Sequence, residues 1–154
     1  MRIIYIDIDT LRADHLGCGG YHRNTSPNID TVANEGINFR NVYASDVPCL
    51  PSRTALITGM FGIRNGVINH GGRAADLQPE GKDRGFFGRF SMRSWASVFY
   101  LAGWHTASIS SFPFRHGASW WNSGFMESMN LMRVFGGERA DHVVPGALDW
   151  LDRR

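Results

Sequence analysis

The chain has 154 residues, 43% of them apolar, with five tryptophans; that is one globular domain's worth of polypeptide with material for a core. A formal charge of +2, with no basic run beyond Arg153-Arg154, gives no argument for nucleic acid or an anionic membrane as partner. No stretch approaches the length of a membrane span, and the opening Met1–Asp9 is too short and too acidic for a secretory leader, so a cytoplasmic setting is expected.

Ile3 to Ile8 alternates and is β-branched, which predicts a buried strand of an α/β sheet. Asp9 follows at its C-terminal end, where open parallel sheets gather ligands, and Asp7 lies two residues back on the same face. After the loop Gly17–Tyr21, Ser26 and Pro27 open a helix with Ile29, Val32 and Ala33 on its apolar side and Gly36 as its stop. Ile37 to Tyr43 predicts a second strand, which leads the chain toward Cys49. The run Cys49-Leu50-Pro51-Ser52-Arg53 then enters a helix: Pro51 suits the first turn, Ser52 and Thr54 can serve its free N–H groups, Leu56 and Ile57 are its apolar side, and Gly59 ends it. Cys49 is thus expected just before a helix N-terminus, where free N–H groups and the dipole favour negative charge. Arg53 lies about one turn on, with a fixed, always-charged fork.

Asn65 to Gly72 is glycine-rich and can bend back, so Asn69 or His70 could reach a reacting group; a satisfied loop histidine is the plainer alternative. Residues 73 to 92 read as a surface loop. Ser94 caps a helix carrying Trp95, Val98, Phe99 and Ala102 toward a core, with Gly103 at its end. Trp104 to Ser110 predicts a third strand, followed by Ser110-Ser111-Phe112-Pro113-Phe114-Arg115-His116-Gly117. The aromatic cluster Trp120-Trp121 could stack on a sugar or cover the sheet edge. From Ala140 on, Val144, Leu148 and Leu151 mark an amphipathic helix with its basic residues last.

Cys49-x-Pro-Ser-Arg-x4-Thr58-Gly59 resembles the signature of type I sulfatases, of the alkaline phosphatase superfamily. The resemblance implies an α/β fold with a mostly parallel sheet flanked by helices, of which residues 1–154 are the N-terminal part. It implies that Cys49 is oxidised by a formylglycine-generating enzyme to Cα-formylglycine. The hydrated aldehyde then attacks the sulfur of a sulfate ester, and Arg53 holds its hydroxyls. Asp7 to Gly17 looks like the family's first block, whose acidic pair binds a divalent metal: Asp9 matches the first aspartate, and Thr10 stands where the second is usual. The implied metal ligands are Asp9, Thr10 and the converted Cys49, with Asp7 in support; hard oxygen donors favour calcium, with magnesium second. The sulfate-contacting lysine and histidine of many relatives are replaced: Ser111 takes roughly the lysine position, and Arg115 and His116 offer substitute charge. His70 and His116 are the candidates to handle protons. The later Asp-Asn or Asp-His pair and the later lysine and histidine that complete the family's site have no counterpart before Arg154.

Three functions are open at this stage. One is a sulfuric ester hydrolase for a sulfated carbohydrate or aryl sulfate. The second is a phosphonate or phosphate ester hydrolase of the same superfamily, which the lone Asp9 favours. The third is a non-catalytic fragment. Cysteine-protease chemistry is disfavoured because His70 and His116 show no partner pattern. Two cysteines, one of them reserved for chemistry, give no expectation of a structural disulfide, and the oligomeric state is not legible.

Overall fold

Six α-helices and one pair of parallel strands form the main regular structure of the residues that the computed structural model describes, which are 1–78, 94–131 and 138–154. The chain divides into two units, Met1–Tyr43 and Ala44–Arg154. Among the described residues no helix is long and apolar enough to cross a membrane.

The first unit is built on one helix, α1 (Pro27–Glu35), with Pro27 at its first position and Gly36 donating to Val32 O at its end. Ser26 stands at the cap position, yet its hydroxyl serves another purpose. It bonds both oxygens of Asp30 and accepts from the Gly17 N–H, while Asp30 also accepts the Cys18 N–H at 2.8 Å. These donors hold the Asp30 carboxyl below the usual carboxylate range, the Cys18 N–H foremost; burial, then the nearby Asp30, pushes the Cys18 thiol up. Gly17 must be glycine here, because a Cβ would fall 2.2 Å from an Asp30 oxygen.

The strands expected at residues 3–8 and 37–43 are not formed among the described residues, and Ile6 and Phe39 are about three-quarters exposed. The reason is physical: an alternating β-branched run becomes a strand only when a neighbour pairs its N–H and C=O groups, and neither run has that ladder. Val32, expected in the apolar face of α1, is likewise exposed.

The second unit carries the sheet and the core. β1 (Ala107–Ile109) pairs in parallel with β2 (Glu127–Met129), Ser108 opposite Ser128. The α/β class with a parallel sheet flanked by helices therefore holds, although the third predicted strand is shorter than its pattern. Parallel neighbours need a crossover, and here it contains α5 (Phe112–Arg115) and a 3-10 turn at Ser119–Asn122. The other helices are α2 (Cys49–Thr58), α3 (Gly62–Asn65), α4 (Trp95–Leu101) and α6 (Ala140–Asp152). Leu50, Ile57, Val67, Ala75, Phe112, Ala118 and Trp120 form the core, with Trp95, Trp121 and Phe125 packed against it.

Several helix signals are met. Ser94 caps α4 by accepting the Ser97 N–H at 3.0 Å, and Gly59 stops α2 in the left-handed region. Packing departs from pattern elsewhere. Val98 and Leu56 are more than half exposed, while Ala96, Ser97 and Thr54 fill the buried positions of their helices. Gly124 explains the choice in α4: at φ +90° it lies so close that a Cβ would meet the Ser97 nitrogen at 2.3 Å. Only small residues permit that approach. Of the loop expected over residues 73–92, residues 79–92 lie outside the described ones; residues 72–75 form a 3-10 turn.

α6 is tied to the sheet through Glu127, which accepts from Trp150 Nε1 at 2.8 Å, contacts His105 Nε2 at 2.6 Å and pairs with Arg154. The Trp150 N–H leads in holding the Glu127 carboxyl below its ordinary value. A carboxylate lowered on folding stabilises the fold above its unfolded value of about 4.3, and that contribution fades as pH falls through the lower folded value. Glu127→Gln is therefore expected to lower the urea midpoint at pH 7, and the gap to the parent should close as unfolding is repeated toward pH 3. Leu50→Ala, which empties a fully buried site in the core, is expected to cost about 2–5 kcal/mol of unfolding free energy in the same assay at pH 7.

Candidate active site

Cys49 is the first residue of α2, one position further in than the sequence pattern implies. The first intrahelical acceptor bond, Ser52 N to Pro48 O at 3.1 Å, leaves the Cys49 and Leu50 N–H groups at the open end of the helix, and Pro51 has none to satisfy. Leu50 and Pro51 are buried, so the two residues after the thiol are clamped in the core while Cys49 stays half-exposed. Thr54 does not serve the helix start. It is fully buried and donates back to Leu50 O at 2.6 Å, as Thr58 does to Thr54 O, so both hydroxyls are spent on carbonyls inside the helix.

Two imidazoles converge on the sulfur. His70 Nε2 lies 3.0 Å from Cys49 Sγ and His116 Nε2 lies 3.9 Å away; the two rings are themselves 4.8 Å apart, centre to centre. His70 is delivered by the loop after α3. Asn65, wholly buried, anchors that loop by donating to Met60 O and accepting the Val67 N–H, both at 2.8 Å, and Gln78 N bonds Asn65 O. Gly66 turns the chain at φ +83°, and the Ile68 and Asn69 N–H groups both reach Ala74 O. The bend expected from the glycine content is thus made by a buried asparagine as much as by glycine. Asn69 itself accepts the His70 N–H.

His116 closes α5, a four-residue helix that starts from the end of β1: Ser110 Oγ accepts the Phe112 N–H, and His116 N–H bonds Phe112 O. Ser111 occupies the cap position of α5, half-buried, and Arg115 is exposed one residue before His116. Arg53, four residues after Cys49 and so on the same helix face, lies over the Phe112 ring with its guanidinium carbon 4.4 Å from the centroid. Contacts of that kind contribute roughly 0.5–2 kcal/mol. Phe112 also meets the His116 ring at 4.4 Å and Trp121 at 5.3 Å. Trp120 is buried in the core, whereas Trp121 is half-buried.

The structure therefore brings Cys49, Arg53, His70, His116 and Arg115 together within one unit. Phe112 escaped sequence reasoning, although its place four residues before His116 carried a signal. Asp9 and Thr10 belong to the other unit: both are exposed, Thr10 has φ +58° and its hydroxyl donates to Asp9 O at 2.7 Å. A carboxylate and a hydroxyl are too few for the six to eight oxygens calcium takes. Among the described residues no three His, Cys, Asp or Glu side chains form a metal-holding group. The described residues thus supply only part of such an oxygen set, and no chemical step is derived through a metal. At Cys49 two ring nitrogens lie on the side chain, and the first N–H groups of α2 stand behind it.

A family model described as Sulfatase matches residues 2–138. The chain is 33% identical to an arylsulfatase of Clostridium perfringens over 107 residues, 70% of this chain and 20% of that protein. It is 40% identical to human arylsulfatase A over 65 residues, 42% of this chain and 13% of that one. A Bacteroides thetaiotaomicron N-acetylgalactosamine-6-O-sulfatase is 42% identical over 59 residues, 38% of this chain and 12% of that protein. The chain thus spans no more than a fifth of the length of these relatives. No solved structure matches.

Asn65→Ala is expected to destabilise the second unit by about 1–3 kcal/mol, because Met60 O and the Val67 N–H lose their buried partner. Amide exchange at Val67 should accelerate by more than exchange within α2, which does not depend on that side chain.

Proposed function

From the premise that this chain belongs to the sulfatase family, we propose that it is the N-terminal part of a catalytic domain that hydrolyses sulfate esters at Cys49. The observation that carries the reading is the convergence of two imidazoles on that one side chain at the mouth of α2, with nitrogens 3.0 and 3.9 Å from the sulfur. Converted to formylglycine by a maturation enzyme, position 49 supplies an attacking oxygen of its own. His70, at hydrogen-bond distance, holds the proton of the attacking group or passes one to the departing alcohol. Arg53 and His116 flank the same side chain and face the charge that builds on the non-bridging sulfate oxygens. Arg115, beside His116, adds a second guanidinium, and Ser111 a hydroxyl where relatives by resemblance use a lysine.

Asp9 and Thr10 are the positions that would serve a divalent ion, calcium before magnesium, as two of its oxygen donors. The substrate class is a sulfated carbohydrate or an aryl sulfate; two matched relatives bear the names arylsulfatase and N-acetylgalactosamine-6-O-sulfatase. Thr10 in place of a second aspartate keeps one further reading in view, a phosphonate or phosphate ester hydrolase with the same converted residue.

Co-expression with a formylglycine-generating enzyme is expected to lower the mass of the Cys49 peptide by about 18 Da. Within the polypeptide that naturally carries this segment, Cys49→Ala should abolish hydrolysis of an aryl sulfate, and His70→Gln should lower it about 100-fold or more. An unconverted thiol, or activity that survives Cys49→Ala, overturns the proposal. A higher kcat/KM on an aryl phosphonate than on the matching sulfate would select the other ester.

A further inference from the structure

We propose that Phe112 is a positioning residue of this site: its ring holds the Arg53 guanidinium and the His116 imidazole in place around the Cys49 side chain. The inference takes Cys49 as the reacting residue from the reading above, but it does not depend on conversion of that residue. Arg53 and His116 belong to different elements, α2 and the end of α5, and the two have one ring in common. Arg53 Cζ is 4.4 Å from its centroid and the His116 ring centre is also 4.4 Å away. The ring is itself fixed. It is 8% exposed, packed in the core cluster and met on a further side by Trp121, while its backbone N–H is tied to Ser110 Oγ at the end of β1.

The chemistry explains why an aromatic residue is used. A benzene face carries the negative part of its quadrupole and attracts a guanidinium, so the ring adds a rigid contact that narrows the rotamers open to the Arg53 side chain. The same rigid plane limits how the His116 ring can turn, and His116 Nε2 stays 3.9 Å from Sγ. An aliphatic side chain could fill part of the volume but has no face to attract a cation. Arg115 Cζ, 5.6 Å from the same centroid, is drawn to the ring more loosely.

The test uses the unconverted thiol and no turnover. Alkylation rates at Cys49, followed by peptide mapping so that Cys18 does not contribute, are measured with anionic iodoacetate and neutral iodoacetamide. General loosening changes both rates together, whereas the ratio reports positive charge held near the sulfur. Arg53→Gln and Phe112→Leu are each expected to lower the iodoacetate-to-iodoacetamide ratio about threefold to tenfold at low salt, the effect shrinking as salt is raised. Phe112→Tyr, which keeps the ring, should retain the parent ratio. A parent ratio in folded Phe112→Leu alongside a lowered one in Arg53→Gln overturns the proposal. So does a parent ratio in Arg53→Gln, since no charge would then be held at the sulfur. Should Phe112→Leu fail to fold, the parent chain still decides: Arg53 side-chain protons shifted upfield by the ring support the proposal, and random-coil shifts overturn it. Absence of the mass loss at Cys49 under co-expression would defeat the functional reading and leave these ratios unchanged.

Discussion

The burial of Leu50 and Pro51 at the start of α2 is the constraint on which the rest of the site depends. A helix end is ordinarily the part of a helix that frays, because its first N–H groups have no partners. Here the second and third residues are locked in the core, so the first residue, Cys49, is held in a defined place while remaining half-exposed. A reacting group needs both properties. It must be reachable, and it must not wander by even an ångström from its partners.

Everything else converges on that fixed point from its own anchor. Buried Asn65 shapes the loop that carries His70, and the short connection from Ser110 through α5 carries His116 and Phe112. Each anchor is a backbone hydrogen bond satisfied by a side chain, which fixes direction more sharply than apolar packing does. Because Leu50, Val67 and Phe112 belong to one core cluster, a disturbance in the packing beneath the site would reach all three contributors together.

The sequence made the centre of this arrangement legible and left its surroundings hidden. Cys-x-Pro-Ser-Arg followed by Gly59 announces a helix mouth with a nucleophile, and the glycines after Asn65 announce a bend; both are local signals. Ser94 as a cap and Gly59 as a stop are also local, and both are met. Phe112 was passed over because its weight lies in its contact with Arg53, far away in the sequence, which leaves no periodic trace; only its spacing of four residues from His116 was legible. The runs at residues 3–8 and 37–43 failed for the opposite reason. Their pattern is clear, but strand formation depends on a partner that no pattern within the run can supply. Thr54 teaches the same lesson in small: its type matched a capping role, but at six residues into α2 its hydroxyl meets a carbonyl instead.

The position of the site relative to the sheet follows from these anchors. In α/β sheets ligand groups gather at strand ends. In the second unit the sulfur belongs to a helix start, His70 to an interhelical loop and His116 to the end of a short helix, so β1 and β2 contribute none of the three. The strand β1 acts indirectly, by setting where α5 begins. That division has a consequence for change: a substitution on β1 reaches the site first through α5, and so would shift Phe112 and His116 as a pair before the shared core passes the disturbance on to Cys49 and His70.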